Sequence, residues 1–168
     1  MLIYLVGYMG SGKTTVGKKL AKKLGFRFID LDDMIERKYR IEVSGFFQKY
    51  DENSFRKIEH DTLAQTFQFS DTIIATGGGV PCFFDNMESI NKIGNSIYIE
   101  MSSLSLFHRL NNSKRPRPLV QDKSHEELKQ FIKGHLKERL PYYSKAHITI
   151  NGENLDMDNL VEKIINWE

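Results

Sequence analysis

A chain of 168 residues with 24 Lys plus Arg against 22 Asp plus Glu carries a formal charge of +2, so its overall balance gives no broad nucleic-acid or membrane-surface footprint. That length suits one domain with a core large enough to need no disulfide, and the single Cys82 fits a reducing compartment as a small hydrophobe. Five His without metal spacing, and no second Cys to complete a zinc set, leave a metal hydrolase little support.

The N-terminus lacks the basic start and cleavage site of a signal peptide, and no apolar run approaches the ~20 residues of a membrane span; a cytoplasmic protein is expected. The run Leu2-Ile3-Tyr4-Leu5-Val6 predicts a strand, and Gly7-Tyr8-Met9-Gly10-Ser11-Gly12-Lys13-Thr14 behind it fits a phosphate-binding loop. Its glycines let successive N–H groups face phosphate oxygens, Lys13 reaches the outer phosphates, and the Thr14 hydroxyl is placed for Mg²⁺. Val16, Leu20 and Leu24 recur at helical spacing before a stop at Gly25, so a helix from Lys13 adds its positive end. A nucleoside triphosphate site is the expectation.

Arg27-Phe28-Ile29-Asp30 predicts a second strand ending in Asp30-Leu31-Asp32-Asp33. Asp30 and Asp32, two apart in an extended segment, point the same way. Phosphoryl transfer uses one carboxylate near the metal and a second that takes the acceptor's proton. The alternative is that these acids cap the next helix, Asp33 above all.

Met34 to about Phe47 reads as helix with a break near Ser44-Gly45, and Asp51 to about Phe69 as a longer helix. On the latter, Arg56 and Glu59 share a face, by pattern an ordinary surface ion pair. Thr72-Ile73-Ile74-Ala75 is a third strand, stopping at Gly77-Gly78-Gly79. Consecutive glycines admit a bound molecule to the backbone and allow positive φ, although a sharp turn needs only one or two. Phe84 to Ile93 reads as helix, Ser96-Ile97-Tyr98-Ile99-Glu100 as strand, and a short helix runs through Leu110.

Asn111 to Lys123 reads as a mobile loop whose Lys114, Arg115 and Arg117 are either a solvated charge run or a cover for phosphates. Ser124-His125-Glu126-Glu127 has the form of a capping box opening a helix to about Leu140, and pattern alone leaves Arg139 near its end undecided between a helix-dipole contact and a part in function. His147-Ile148-Thr149-Ile150 is a last strand, and Met157, Leu160, Val161 and Ile164 mark a closing amphipathic helix. Five strands separated by helices predict an α/β fold, three layers around a five-stranded parallel sheet, with ligands beyond the C-terminal strand ends. Three unusual features, at Gly7, Asp30 and Gly77, therefore share one edge.

The assembled chain resembles the shikimate kinases over nearly its whole length, through a conjunction of motifs. These are the loop Gly7 to Thr14; Asp-x-Asp at Asp30 and Asp32; Phe-Arg-x-x-Glu at Phe55, Arg56 and Glu59; and Gly77 to Gly79. Arg-Pro-Leu follows at Arg117-Pro118-Leu119 and Arg-x-Pro-x-Tyr at Arg139, Pro141 and Tyr143. The resemblance implies transfer of the γ-phosphoryl group of ATP to the 3-hydroxyl of shikimate, on the route to chorismate and the aromatic amino acids. It implies one phosphate-loop kinase domain over 1–168, substrate-binding helices at about 31–69 and a lid at about 111–123. A monomer acting on two small molecules, with no nucleic acid or membrane, goes with it.

Roles carried over on the matching positions assign Asp32 as base, with Lys13 and Arg117 beside it in catalysis. Gly10, Ser11, Gly12, Lys13, Thr14, Thr15, Arg109 and Arg117 fall to ATP. Asp32, Arg56, Gly77, Gly78, Gly79, Arg139, Phe47 and Phe55 fall to shikimate, with Glu59 orienting Arg56. Thr14, and Asp30 through water, fall to Mg²⁺. Asp51 departs from the family's usual Gly before Glu52, and Lys145 from its usual Glu. The runner-up is a gluconate or nucleoside monophosphate kinase, disfavoured by the joint presence of Asp32, Arg56, the triple glycine and Arg139. A non-catalytic nucleotide switch is a third reading, disfavoured by an intact Lys13, Thr14 and Asp32.

Overall fold

In a computed structural model, which describes residues 1–113, 120 and 122–167, Leu2–Val6 forms β1, the central strand of a five-stranded parallel sheet. The others are β2 (Arg27–Asp30), β3 (Thr72–Ala75), β4 (Asn95–Glu100) and β5 (Ile148–Asn151), in the order β2-β3-β1-β4-β5. The helices are α1 (Lys13–Leu24), α2 (Leu31–Tyr39), α3 (Val43–Lys49) and α4 (Glu52–Gln65). They continue with α5 (Asn86–Ile93), α6 (Ser103–Asn111), α7 (His125–Tyr143) and α8 (Met157–Ile165).

Every residue of β1 is buried because helices cover both sheet faces, and the strand's alternation divides the core in two. Ile3 and Leu5 join Ile73, Ile97 and Ile99 against Val16 and Leu20 of α1 and Leu160 and Ile164 of α8. Tyr4 and Val6 join Ile74 and Tyr98 in the larger cluster, with Leu63, Ile90, Leu106 and Ile132 from the helices opposite. A third, smaller cluster of Ile35, Phe46 and Phe55 holds α2, α3 and α4 together. The order of strands reverses beside β1, since the chain crosses to β2 and β3 on one side and later to β4 on the other. Such a switch point opens a crevice at the strands' C-terminal ends, and the loop after β1 lies there.

Several boundaries differ from expectation. The first helical stretch breaks at Arg40, in a left-handed conformation at φ 55°, whereas Ser44 and Gly45 are ordinary members of α3. The helix expected from Phe84 begins at Asn86, preceded by a 3-10 turn over Val80–Cys82 and a left-handed Phe84. Asp51, the departure from family pattern, is the N-cap of α4 and accepts from the Ser54 N–H at 2.7 Å, so it starts the helix directly. The capping box of Ser124 and Glu127 forms as expected. Lys114, Arg115 and Arg117, with Pro118 and Leu119, lie outside the described residues. Among the described residues no helix is long and apolar enough to cross a membrane.

Candidate active site

The ends of β1, β2 and β3 carry the site. After β1, Gly10 and Gly12 adopt φ of 81° and 95°, which side-chain-bearing residues rarely take, and Gly12 caps α1. Lys13 is buried at the centre of this loop, its Nζ donating to the Gly7 and Tyr8 carbonyls at 2.7 and 2.9 Å. Ser11 Oγ is buried and has no hydrogen-bond partner among the described residues. Arg109 on α6 lies against the loop, donating to the Gly10 carbonyl at 3.4 Å, while Thr15 is exposed on the first turn of α1.

Thr14 Oγ1 donates to Asp30 Oδ2 at 2.7 Å, bringing together the two residues expected around a metal. A hydroxyl and a carboxylate beside a phosphate loop are the hard oxygen donors that magnesium takes while keeping several waters, so this pair fits such an ion. Asp30 also corrects one expectation. It, and not Asp33, is the N-cap of α2, its Oδ1 accepting from the Asp32 N–H at 3.1 Å. Asp32 accordingly stands in a helix's first turn rather than in extended chain.

The triple glycine makes no use of the positive φ that it allows. None of Gly77, Gly78 and Gly79 takes a positive φ; what their positions require is the absence of a side chain. A Cβ on Gly77 would stand 2.8 Å from Glu59 Oε1 and 3.1 Å from Asp32 Oδ1. One on Gly78 would stand 3.0 Å from the Met9 nitrogen and 3.4 Å from Arg139, and one on Gly79 would strike the Arg56 guanidinium. The strand end is a bare wall on which two carboxylates and two guanidiniums converge.

Arg56 and Glu59 are 4% and 3% exposed, so theirs is no surface pair: Nη1 donates to Glu59 Oε2 at 2.6 Å. Glu52 holds the other edge, accepting from Nε at 3.3 Å and Nη2 at 3.0 Å, and the Phe83 ring lies 4.4 Å beneath the guanidinium. Burial pushes the Glu59 carboxyl up to about 7 against the pull of Arg56, and the Asp32 carboxylate adds to the rise. Phe55 is buried in the α2–α4 cluster with its ring 4.8 Å from that of Phe47. Arg139 is 5% exposed and, among the described residues, forms no ion pair; its guanidinium lies 5.8 Å from the Tyr8 ring centre. A charge so placed is costly without an anion, and a helix-end dipole does not account for its burial.

Three contacting residues had no individual role in the sequence reading, although Tyr8 and Tyr143 stand inside its motifs. Tyr143 donates its hydroxyl to the Gly78 carbonyl at 2.6 Å, and Tyr8 is hydrogen-bonded to His135 Nδ1 at 2.8 Å. The available signal was the recurrence of His135, Arg139 and Tyr143 every four residues, one face of one helix.

A phosphate-binding loop at a parallel sheet's switch point, opposite a wall that gathers two buried arginines and two carboxylates, defines a phosphate-loop kinase for a small anionic acceptor. The family model for shikimate kinase matches residues 9–167, and the chain belongs to that family. The shikimate kinase of Parabacteroides distasonis is 47% identical over 164 residues, covering 98% of this chain and 95% of that protein. The crystal structure of shikimate kinase from Bacteroides thetaiotaomicron aligns with a TM-score of 0.91 at 38% identity, over 99% of this chain and 97% of the other. Shikimate kinase from Acinetobacter baumannii in complex with shikimate aligns with a TM-score of 0.87 at 36% identity, over 98% and 90%.

Proposed function

We propose that this enzyme transfers the γ-phosphoryl group of ATP to the 3-hydroxyl of shikimate, with the residues of the described site in the following roles. The observation that carries the assignment is Arg139, a buried guanidinium without an ion-pair partner among the described residues, set across the triple glycine from Arg56. Two such groups suit one carboxylate, which Arg56 and Arg139 hold together while Glu59 fixes the direction of Arg56. The glycine wall, from Gly77 to Gly79, lets the ring approach the backbone, with Phe47 and Phe55 beside it.

Asp32 accepts the proton of the attacking hydroxyl as its oxygen bonds to the γ-phosphorus; the bond from that phosphorus to the bridging oxygen breaks, and ADP leaves. Gly10 to Thr15 hold the phosphates through backbone N–H groups and α1's N-terminus, Lys13 neutralises charge on the transferred group, and Arg109 flanks the loop. Arg117 is assigned to the phosphates with them. Thr14 and, through water, Asp30 are the residues that would hold Mg²⁺, which would supply charge neutralisation for the phosphates. The chain acts as one domain, as a monomer, in the cytoplasm.

An ADP-release assay with shikimate, gluconate and nucleoside monophosphates as separate acceptors tests this. Turnover on shikimate alone is expected. Turnover on gluconate without shikimate would overturn it, and tight ATP binding with no transfer to any acceptor would favour a nucleotide switch.

A further inference from the structure

We propose that Tyr8 and His135 are positioning residues that set Arg139 for the acceptor carboxylate, so that the phosphate loop and the acid grip are tied by one hydrogen bond. The inference rests on the functional reading above and goes beyond it to two side chains to which that reading gives no role.

The geometry is a helix pinned on both sides of one charge. His135, Arg139 and Tyr143 lie on one face of α7, a turn apart. One turn after Arg139, Tyr143 donates to the Gly78 carbonyl at 2.6 Å; one turn before it, His135 Nδ1 meets the Tyr8 hydroxyl at 2.8 Å. The first pin fixes α7 to the glycine wall and the second fixes it to the phosphate loop. Tyr8 is 1% exposed and meets both halves of the site: its carbonyl accepts from Lys13 Nζ at 2.9 Å, and its ring lies under the Arg139 guanidinium. Among the described residues Arg139 forms no ion pair, and the Tyr143 hydroxyl that it hydrogen-bonds is on α7 too, so its direction depends on where α7 is placed.

Protonation fits the arrangement. Burial holds the Tyr8 phenol well above its ordinary range, so it keeps its proton; burial and the Arg139 and Arg56 charges bring His135 down to about 4. With both groups neutral, one proton lies in the contact between the Tyr8 oxygen and Nδ1, on the one or the other according to the imidazole tautomer.

The competing account is that two polar groups merely satisfy one another at a helix contact. Kinetics of the full chain separates the two. His135→Leu is expected to raise the KM for shikimate about 3- to 10-fold, the effect of one part-buried hydrogen bond, leaving kcat and the KM for ATP within about 2-fold. His135→Asn, whose side-chain amide offers both an acceptor and a donor in place of Nδ1, is expected to recover most of that loss. Tyr8→Phe raises the same KM, and the double variant raises it no further than His135→Leu. An unchanged shikimate KM in His135→Leu, an equal rise in both KM values, or Asn no better than Leu would each overturn the inference. An unmutated chain without shikimate turnover overturns the functional reading and this inference together, whereas normal turnover with unaffected variants overturns this inference alone.

Discussion

Glu59 accepts a hydrogen bond from Arg56 at 2.6 Å with both side chains almost wholly buried, three residues apart on one helix. Breaking such a pair strands a charge. Glu59→Ala is expected to lower stability by about 3 kcal/mol, the low end for a buried pair because the half-exposed Glu52 still holds Arg56. The KM for shikimate should rise with it. Urea unfolding at neutral pH measures the first, and unchanged stability would show that the pair is not closed in solution.

Gly79→Ala places a methyl group where the Arg56 guanidinium lies. The arginine must move, so the KM for shikimate should rise at least about 10-fold while that for ATP holds, the nucleotide loop being on the far side of the wall. A shikimate KM equal to that of the unmutated enzyme would mean that Arg56 finds an equivalent position.

Asp32→Asn keeps shape and removes the proton acceptor. The cap of α2 uses the backbone N–H of Asp32, not its side chain, so the helix start survives. A fall in kcat of about 10²–10⁴ is expected, with an unchanged circular dichroism spectrum. Near-normal kcat would remove Asp32 from proton transfer.

Arg139→Ala deletes a group remote from the reacting hydroxyl. Its main effect should fall on the KM for shikimate, by about 10-fold or more, with a smaller loss in kcat. An unchanged KM would leave Arg139 without a part in binding.

His135 gives a pH signature. Its folded value, about 4, lies below the usual 6.5, so the unfolded chain binds the extra proton first. The stability it contributes is complete above about 6.5 and declines as pH falls toward about 4. Water around the half-exposed ring screens the effect to on the order of 1 kcal/mol. Tyr8 is hydrogen-bonded to this ring, the Arg139 and Arg56 charges lower its value and Glu52 raises it, while Glu59, raised to about 7, pulls stability the other way over the same range. Comparing melting temperatures of His135→Asn and the unmutated enzyme from pH 7 to 4.5 isolates His135; parallel declines would exclude it.

Much of this could be read from the chain because the interactions concerned are local. The phosphate loop forms within eight consecutive residues, Gly7 to Thr14, and the Ser124–Glu127 box within four. Alternating strands and helices follow from apolar spacing over a few turns. The misread features depend on distant partners. Asp30 rather than Asp33 caps α2 because β2 runs until Asp30 pairs with Ala75 of β3, 45 residues onward, and the helix begins only after that pairing ends. The break at Arg40 passed unnoticed because a left-handed arginine has no composition signal, whereas Gly45, which has one, sits comfortably in α3.

Residue types and spacing were therefore enough for a parallel α/β kinase fold, a triphosphate loop and a shortlist of charged candidates. Folding settled which of those charges leave water. Pattern along the chain left Arg56, Glu59 and Arg139 undecided between surface charges and function, and only in the fold are they buried together against the side-chain-free end of β3. The Tyr8 and His135 contact spans 127 residues, a separation over which no periodicity carries information. Burial and partner choice are properties of the packed chain, because the cost of a buried charge is set by everything that surrounds it.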